Sequence, residues 1–347
     1  MVSYRGRVTS QPNLPGAWNF RDVSETTGAL RPGRLFRSSE LSRLEDRGRE
    51  ELLRLGVSDV ADLRSPREVT RRGPGLVPAG VGIHLLPFPD LAGDQSPDSS
   101  APHEDAFRNM MAEKPDEDSA ADVAARYMLE EYERFPTLAG SRRAVQRVVS
   151  LLAEGRPVLA HCFAGKDRTG FVVAVVLRAA GVDRDAVIED YLRSNTAVPV
   201  LRDRIMEMIR SRPESEITPE VLTFTEARLS DEVLGVRADY LNAAERSIEE
   251  NFGSLDGFLR AADVTDADVD RLRAARRVPN LTRCYSEKLA DLAAERSAIV
   301  DHCAAISSTD GGFSKVAPAF SNSAVRCTLP PPAMNTEPVS ATSSVHR

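Results

Sequence analysis

Short apolar runs and amphipathic stretches alternate along most of the chain. Compact apolar runs bounded by turn residues predict β-strands at 35–37, 57–64, 81–88 and 157–162. Apolar residues at helical spacing predict α-helices over 43–55, 141–155 and 168–181, and further helices from there to 277. The pattern predicts an α/β fold in which helices flank a mostly parallel central sheet.

One stretch, residues 90–136, departs from this pattern. Its first part is rich in Asp, Glu, Pro and Ser, and it contains two amphipathic segments, one with Phe107 and Met110 and one with Tyr127 and Tyr132. We predict an acidic helical insertion. It could be a surface feature, or a mobile lid that turns its Met and aromatic face toward a ligand or the body of the protein, since long insertions often serve as lids.

The two ends of the chain differ from the rest in composition. Residues 1–12 are predicted to be flexible, and they contain no apolar core segment of the kind found in a conventional signal peptide. Residues 279–347 are predicted to form a C-terminal extension. Within it, residues 307–347 are rich in Ser, Thr, Pro and Ala and are predicted to be disordered, because so little apolar surface cannot offset the entropy lost on ordering. The folded domain is therefore expected to span residues 13–278.

Charge and composition exclude several classes of function. The net charge of −7 argues against nucleic acid as the main partner, although a local basic pocket could still bind an anionic substrate. No stretch approaches the roughly 18 apolar residues of a membrane span, so we expect a soluble protein with no integral membrane association, cytoplasmic unless it is exported. The four cysteines do not suggest a disulfide framework and the five histidines show no metal-ligand spacing, so we predict neither a structural metal nor a cofactor.

Polar residues interrupt the apolar pattern at 161–170, where the sequence reads HCFAGKDRTG between a predicted strand and a predicted helix. Cys162 and Arg168 stand six positions apart in this loop. A strand-to-helix loop directs several backbone N–H groups into one concavity, and the helix that follows adds the positive end of its dipole. The loop therefore predicts a site for a tetrahedral phosphate. Its substrate-binding main chain would come from Phe163, Ala164 and Gly165.

The side chains of the loop suggest chemistry on that phosphate. The positive field favours the thiolate form of Cys162, and a thiolate facing the phosphorus of a bound monoester is an activated nucleophile. Arg168 can hold two phosphoryl oxygens through its planar fork and follow them into the transition state. The hydroxyl of Thr169 can hydrogen-bond the thiolate. We assign His161 a supporting role, either in a hydrogen-bond relay to the thiolate or as a core histidine that holds the loop.

Other interpretations of this loop fit less well. Cys162 could be an inert buried cysteine, but the arginine and the glycines in register with it argue against that. A nucleotide-binding P-loop needs a glycine at 160 and a hydroxyl residue at 167, where the chain has Ala160 and Asp167. A persulfide-carrying sulfur transferase also places a cysteine loop before a helix, but the lysine, aspartate and threonine found here suit it less well.

The loop resembles that of the cysteine-dependent protein tyrosine phosphatases. Further stretches extend the likeness to GAWNFRDV (16–23), RPGRLFRSSEL (31–41), DVADLRS (59–65) and HLLPFPDL (84–91). With them the chain is similar to the mycobacterial protein tyrosine phosphatase B family over residues 14–277. The resemblance implies a tyrosine-phosphatase-like fold with a helical lid at the acidic insertion, and a metal-free mechanism in two steps through a phosphocysteine.

The resemblance also has implications for substrates and location. It implies hydrolysis of phosphotyrosine, with phosphoserine, phosphothreonine and phosphoinositides as further substrates. Members of the family are secreted and act in the host cell as virulence effectors. The resemblance therefore implies phosphorylated host proteins or phosphoinositides as partners, and export by a route that needs no conventional signal.

Two aspartates compete for the role of the general acid that protonates the leaving oxygen. Asp167 lies in the loop itself, next to Arg168. Asp90 follows a predicted strand, where a loop could swing it over the site. Asp90 could equally be a surface carboxylate that opens the insertion, and Asp167 could equally be a structural partner of Arg168 or Lys166, so both assignments stay open.

Two cations are candidates for further contacts with phosphate. Lys166 adds a charge that would suit a second phosphate, as on an inositol ring, or it could be a solvated lysine at the rim of the loop. Arg64, at the end of a predicted strand, could bind phosphate or could form an ordinary ion pair with Glu68 four positions on.

Functions of two other classes are alternatives to an enzyme. The loop could bind phosphate without turnover, although intact Cys162 and Arg168 and two candidate acids speak against a silent binding module. The chain could also be a secreted interaction protein that acts through its Pro- and Ser-rich tail. Release of phosphate from an aryl phosphate would exclude the first alternative, and truncation near residue 280 would test the second.

Overall fold

The computed structural model describes residues 13–28, 30–88, 120–211 and 229–274. The chain divides into two units, Met1–Pro279 and Asn280–Arg347, and all described residues belong to the first. Asp90, the predicted flexible N-terminus and the predicted C-terminal extension lie outside the described residues. The domain boundaries drawn from the sequence therefore stay predictions.

Within the described residues, the centre of the fold is a five-stranded sheet. Its strands are β1 (Arg21–Asp22), β2 (Leu35–Ser38), β3 (Asp59–Asp62), β4 (Gly82–Leu85) and β5 (Val158–His161). They lie in the order β1-β2-β5-β3-β4; β1 pairs with β2 antiparallel, and all the other pairs are parallel. The predicted α/β fold with a mostly parallel sheet is thus confirmed. The apolar pattern does not predict β1, because two residues are too few to show an alternation.

Helices surround this sheet. They are α1 (Ser24–Thr27), α2 (Asp46–Arg54), α3 (Pro66–Arg72), α4 (Ala120–Arg134), α5 (Ala139–Ala153), α6 (Asp167–Ala179), α7 (Arg184–Leu192), α8 (Val198–Arg210), α9 (Asp231–Leu234), α10 (Ala238–Phe252), α11 (Leu255–Ala261) and α12 (Asp266–Ala274), with 3₁₀ turns at Phe135–Thr137 and Arg193–Ala197. None of these described helices has the length and apolar character needed to cross a membrane.

The two faces of the sheet pack against different helices because successive side chains of a strand point to opposite sides. On one face, Phe36 and Val60 join a cluster with Leu52 of α2. On the other face, Leu35 and Val158 join the larger core, which includes the apolar residues of α5 and α6. Helix α6 runs through this core and is buried along nearly its whole length. The fold is therefore layered, with helices on both sides of the sheet.

The parallel strands end at one level. Ser38 of β2 and Asp62 of β3 are both paired with His161 of β5, and Asp62 is paired in turn with Leu85 of β4. The segments that follow these residues emerge together at one edge of the sheet. Ligands of open α/β sheets bind at this carboxyl edge, and Cys162 is the first residue beyond it.

Helix α3 is an element that the apolar pattern does not predict, since its residues are mostly charged. A capping box starts it: the Glu68 N–H donates to Ser65 Oγ (3.2 Å), and the Ser65 N–H donates to Glu68 Oε2 (2.8 Å). Pro66 occupies the first helical position, where its missing N–H costs nothing. The spacing S-x-x-E is the local signal that identifies this helix start.

The second amphipathic segment of the predicted insertion forms α4. Met128 and Tyr132 of this helix are buried in the main core, where the Tyr132 ring packs against Tyr240 of α10. The apolar face of this part of the insertion therefore points to the body of the protein. Residues 90–119, with the first amphipathic segment, lie outside the described residues.

Candidate active site

The carbonyl groups of the loop between β5 and α6 are held from outside the loop. The hydrogen bonds run from the Glu40 N–H to the carbonyl of Phe163 (2.9 Å), from Asn19 Nδ2 to those of Ala164 (3.0 Å) and Gly165 (3.1 Å), and from Arg37 Nη2 to that of Gly165 (2.8 Å). A loop whose carbonyls point outward turns its N–H groups inward. The first N–H groups of α6 have no carbonyl one turn earlier to pair with, so they add donors and the positive end of the helix to the same concavity. This is the geometry of an anion site.

Glycine is required where the loop touches its surroundings. Gly165 has φ of 66°, and a Cβ there would lie 2.0 Å from the carbonyl oxygen of Ser38. A Cβ at Gly170 would lie 2.7 Å from the ring of Tyr191. The loop can therefore approach β2 this closely, and α6 can approach α7, only with glycine at these two positions.

A buried ionic cluster holds the donors that fix the loop. Arg37 Nη1 and Arg21 Nε bind the two carboxylate oxygens of Asp190 at 2.7 and 2.8 Å. Arg21 Nη1 also donates to Asn19 Oδ1 (2.7 Å), which orients the amide that binds the loop. Burial alone would raise the pKa of Asp190, but the two guanidinium groups outweigh it and hold this pKa below its usual value. The cluster joins residues far apart in the chain, and the sequence patterns did not predict it.

Cys162 opens the loop directly after β5, and its side chain is 2% exposed. It lies close enough to Arg168 for the two side chains to interact electrostatically. The structure thus places the two residues of the motif at one end of α6, as the spacing predicts. The other three cysteines lie outside the described residues.

The guanidinium of Arg168 is clamped along one edge. Nη1 and Nη2 donate to the two carboxylate oxygens of Glu68 at 2.7 and 2.8 Å, and Nη1 also donates to the carbonyl of Leu63 (3.1 Å). Burial alone would lower the pKa of Arg168, but the Glu68 carboxylate outweighs it and raises this pKa, so the side chain stays cationic. Nε is buried and has no hydrogen-bond partner among the described residues. Nε–H and the second N–H of Nη2 form the other edge of the fork, and that edge suits two phosphoryl oxygens.

Glu68 is a residue of the site that sequence reasoning missed. Spacing offered it only as a possible i, i+4 partner of Arg64, but α3 begins at Pro66, so Arg64 lies before the helix. Glu68 is fully buried at the third position of α3, where it caps the helix and clamps Arg168. The capping signal S-x-x-E predicts its position in a helix, but nothing local predicts its partner 100 residues away.

Arg64 is fully buried and its guanidinium is engaged by other groups. Nε and Nη2 donate to the Asp62 carboxylate, and Nη1 donates to Glu40 Oε2 (3.0 Å) and to the carbonyl of Gly73 (3.2 Å). Each of its three nitrogens thereby has a partner within the protein. This geometry does not favour the predicted contact with phosphate, which stays a prediction.

Lys166 and Asp167 lie side by side in the loop and both are buried. Lys166 is 3% exposed, so it is not the solvated rim lysine that was one of its two interpretations. Its Nζ donates to the carbonyl of Leu234 in α9 (2.5 Å) and lies 3.8 Å from Asp167 Oδ2. Asp167 Oδ1 accepts a hydrogen bond from the hydroxyl of Tyr132 (3.3 Å). Asp90, the competing acid, lies outside the described residues.

His161 and Thr169 flank the loop residues and are fully buried. His161 Nδ1 donates to the carbonyl of Cys162 (3.1 Å), and its Nε2 lies 3.8 Å from Asp62 Oδ2. This contact with the main chain favours the interpretation of His161 as a residue that holds the loop. Thr169 Oγ1 makes no hydrogen bond within the described residues, so its predicted bond to the thiolate is not formed here. Those residues also contain no group of three or more His, Cys, Asp or Glu side chains placed to hold a metal ion.

Stability should depend on pH through His161. Burial, more than any other influence, lowers the pKa of His161 in the folded protein, whereas a histidine in the unfolded chain titrates near about 6.5. As the pH falls through that value, the unfolded chain binds a proton that the folded protein does not, so the free energy of unfolding decreases. We expect His161→Asn, whose amide can replace Nδ1, to remove up to about 1.4 kcal/mol per pH unit of this dependence between pH about 7 and 5.5. Urea unfolding of both proteins across this range measures it, and equal slopes would contradict the assignment.

The side chains of Phe163 and Ala164 point out of the loop into a second apolar cluster formed mainly by α8. The Phe163 ring makes an edge contact with Trp18 (centroids 6.3 Å apart) and lies under the guanidinium of Arg72, 3.8 Å from its centroid. These contacts anchor the loop from outside. The part of Phe163 and Ala164 that faces the concavity is therefore their main chain, as the predicted phosphate site requires.

Such a loop, with its cysteine at a strand end and its arginine in the first turn of the next helix, defines the cysteine-dependent phosphatases as a class of protein. Comparison with known families agrees with this class. Residues 12–278 match the tyrosine phosphatase family, and the chain belongs to that family.

Curated relatives support the same conclusion. The triple specificity protein phosphatase PtpB of Mycobacterium tuberculosis is 62% identical over 267 residues, which cover 75% of this chain and 96% of that protein. A putative tyrosine-protein phosphatase of Cupriavidus necator is 32% identical over 259 residues, covering 74% of this chain and 84% of that protein. A tyrosine-protein phosphatase of Nostoc commune is 24% identical over 241 residues, covering 68% and 72%. The resemblance drawn from the motifs, and phosphatase activity with it, is confirmed.

Proposed function

We propose that Cys162, Arg168 and Asp167 hydrolyse phosphate monoesters in two steps through a phosphocysteine. In the first step Cys162 Sγ attacks phosphorus, the bond from phosphorus to the leaving oxygen breaks, and Asp167 gives its proton to that oxygen. In the second step water attacks phosphorus, Asp167 takes a proton from the water, and the P–S bond breaks to release phosphate and the thiolate. The two steps balance without a metal ion or cofactor, as the family resemblance implies.

The observation that carries this proposal is that the two edges of the Arg168 guanidinium have different partners. Glu68 occupies one edge of the guanidinium, and the edge that includes the unpaired, buried Nε is left for the phosphoryl group. A group held in this way needs no reorganisation when charge develops on the phosphoryl oxygens, which is how fixed donors lower the barrier. A planar fork can serve both partners at once, and a point charge cannot.

Asp167 is the better supported of the two candidate acids. It lies in the first turn of the helix that carries Arg168, directly after the loop that frames the anion site. Its burial keeps water from the carboxyl group and favours transfer of a proton to a bound substrate. In the second step the same carboxylate acts as the general base that takes a proton from water.

We propose a substrate range that covers phosphotyrosine, phosphoserine, phosphothreonine and phosphoinositides. The relative of 62% identity bears the name of a triple specificity phosphatase. The loop also carries Lys166 as an additional cation beside the anion site, and a second phosphate on the substrate would offer a partner for it in place of the Leu234 carbonyl. The substrates proposed here are phosphorylated host proteins and phosphoinositides.

Two substrates compared side by side test this range. We expect the protein to release phosphate both from a phosphotyrosine peptide and from phosphatidylinositol monophosphates. Lys166→Gln should slow the phosphoinositide reaction by about ten- to a hundredfold and the peptide reaction much less, because one charge-assisted hydrogen bond to the second phosphate is lost. The measurement is phosphate release at matched substrate concentrations, with Cys162→Ser as the blank.

Each outcome has a definite meaning. Release from the peptide alone would contradict the broad range and leave a phosphatase specific for phosphotyrosine. Equal slowing of both substrates by Lys166→Gln would show that Lys166 only holds α9 in place. Release from neither substrate, with binding intact, would favour the silent phosphate-binding module instead.

We further propose that residues 13–278 form the phosphatase domain, that residues 90–136 act as its lid, and that the protein is secreted. These proposals rest on composition and on the family resemblance. Detection of the protein in the medium of intact cells tests its secretion. Truncation after residue 278 tests the domain boundary, because the shortened chain should retain its full activity.

A further inference from the structure

A chain of buried phenols ends on the proposed acid. The Tyr191 hydroxyl donates to the Tyr132 hydroxyl (2.7 Å), and the Tyr132 hydroxyl donates to Asp167 Oδ1 (3.3 Å). All three side chains are buried; Tyr132 lies on α4, Tyr191 on α7 and Asp167 in the first turn of α6. The two-step reaction has no direct use for either phenol, so an effect of theirs on catalysis would act through Asp167.

The direction of these hydrogen bonds follows from the number of protons. Each phenol carries one proton, and an ionised carboxylate can only accept. Burial first, and the nearby Asp167 carboxylate in addition, raise the pKa of Tyr132 and of Tyr191 well above the usual value for tyrosine, so both phenols stay neutral. The Tyr191 hydroxyl therefore donates its one proton to Tyr132, and the Tyr132 hydroxyl donates its one proton to Asp167.

The two oxygens of Asp167 have different surroundings. Oδ1 already accepts from Tyr132, and Oδ2 lies on the side of Lys166, 3.8 Å from Nζ. When Asp167 is protonated, its own proton therefore belongs on Oδ2. A carboxyl group held at one oxygen also has less freedom to rotate, which gives the O–H of the other oxygen a defined direction.

We propose that Tyr132 is a positioning residue that holds Oδ1 of Asp167, so that Oδ2 presents the proton to the leaving oxygen, and that Tyr191 holds Tyr132 in turn. This inference rests on the proposed role of Asp167 as the general acid. Because Tyr132 lies on α4, within the predicted insertion, the seating of that helix sets the geometry of proton transfer at the active site.

Tyr132→Phe tests the proposal because it removes one hydroxyl and keeps the ring in its aromatic cluster. A proton is needed most by a poor leaving group, whereas a strongly acidic phenol departs without one. We expect kcat/KM for phenyl phosphate to fall about tenfold, and kcat/KM for 2,4-dinitrophenyl phosphate to change by less than about twofold. This parameter covers the steps up to the phosphocysteine, so it reports the acid role and not the later hydrolysis.

Tyr240→Phe is the matched control. Its ring centroid lies 5.5 Å from that of Tyr132, and no hydrogen bond joins it to Asp167 within the described residues. This variant should leave kcat/KM for both substrates unchanged. Equal losses for both substrates in Tyr132→Phe would mean a structural role and would overturn the proposal. If thermal unfolding shows that this variant does not fold, Tyr191→Phe takes its place, with the same selectivity and a smaller loss.

Asp167→Asn separates this inference from the function on which it rests. In Asp167→Asn, kcat/KM for phenyl phosphate should fall further than in Tyr132→Phe, while kcat/KM for 2,4-dinitrophenyl phosphate should change much less. Adding Tyr132→Phe to Asp167→Asn should lower neither value further. An Asp167→Asn variant without that difference between the two substrates would overturn the assignment of the acid. A selective Asp167→Asn beside an unselective Tyr132→Phe would overturn only the role of Tyr132.

Discussion

Cys162→Ser should lower the rate of phosphate release by about 10⁴-fold or more while binding of a phosphotyrosine peptide changes by no more than a few-fold. Serine fits the space of this buried side chain, so the loop and its main-chain donors should keep their arrangement. Its hydroxyl does not ionise at neutral pH, however, and the nucleophile is lost. Phosphate release and calorimetric binding of the same peptide measure the two quantities separately.

The control for this change is another thiol of the same chain. Cys284→Ser, outside the motif, should leave turnover unchanged. Turnover that survives in Cys162→Ser would refute the assignment of the nucleophile. Loss of binding together with turnover would show that the substitution had disturbed the loop itself.

Arg168→Lys should lower kcat/KM by about 10³-fold, with most of the loss in kcat. Lysine keeps the positive charge but has no planar fork, so it cannot bind both oxygens of Glu68 and still present two parallel donors to the phosphoryl group. The loss falls on the transition state because the phosphoryl oxygens and these donors are best matched there. Steady-state kinetics on an aryl phosphate separates kcat from KM, and a loss confined to KM would show that Arg168 only binds the substrate.

Glu68→Gln tests the ion pair of Glu68 with Arg168 separately from its role in capping α3. Glutamine can also complete a capping box with Ser65, so α3 should still start at Pro66. The charge that fixes the guanidinium is lost, and we expect kcat/KM to fall by about ten- to a hundredfold, together with a lower thermal stability because the buried Arg168 loses its counter-ion. A large fall in stability without a kinetic effect would mean that Glu68 serves the fold and not the site.

Two alternatives that the sequence left open at this site are absent from the structure for one reason. Spacing allowed an ion pair of Arg64 with Glu68, but the helix begins between them. A solvated Lys166 was one of two interpretations of that residue, but the packing of α9 against the loop buries it and gives it the Leu234 carbonyl. In both cases a local rule assumed an environment that distant elements supply.

The sequence by itself determined the fold class and the central pair of the site. Compact apolar runs reveal the central strands because these are buried on both faces, and apolar residues at helical spacing reveal helices because each helix buries one side. Cys162 and Arg168 could be paired because both lie in one short contiguous motif, whose glycines and helix start dictate its local shape. The same motif and its flanking stretches were sufficient to recognise the tyrosine phosphatase family.

Only the tertiary structure decided which groups hold and orient that motif. Glu68 meets Arg168 across 100 positions of the chain, Arg37 meets Asp190 across 153, and Tyr132 meets Asp167 across 35. In water such contacts are weak and exchangeable, but once buried they are strong and directional because no solvent competes with them. Which side chains are buried together depends on how distant elements pack, and no local pattern along the chain records that.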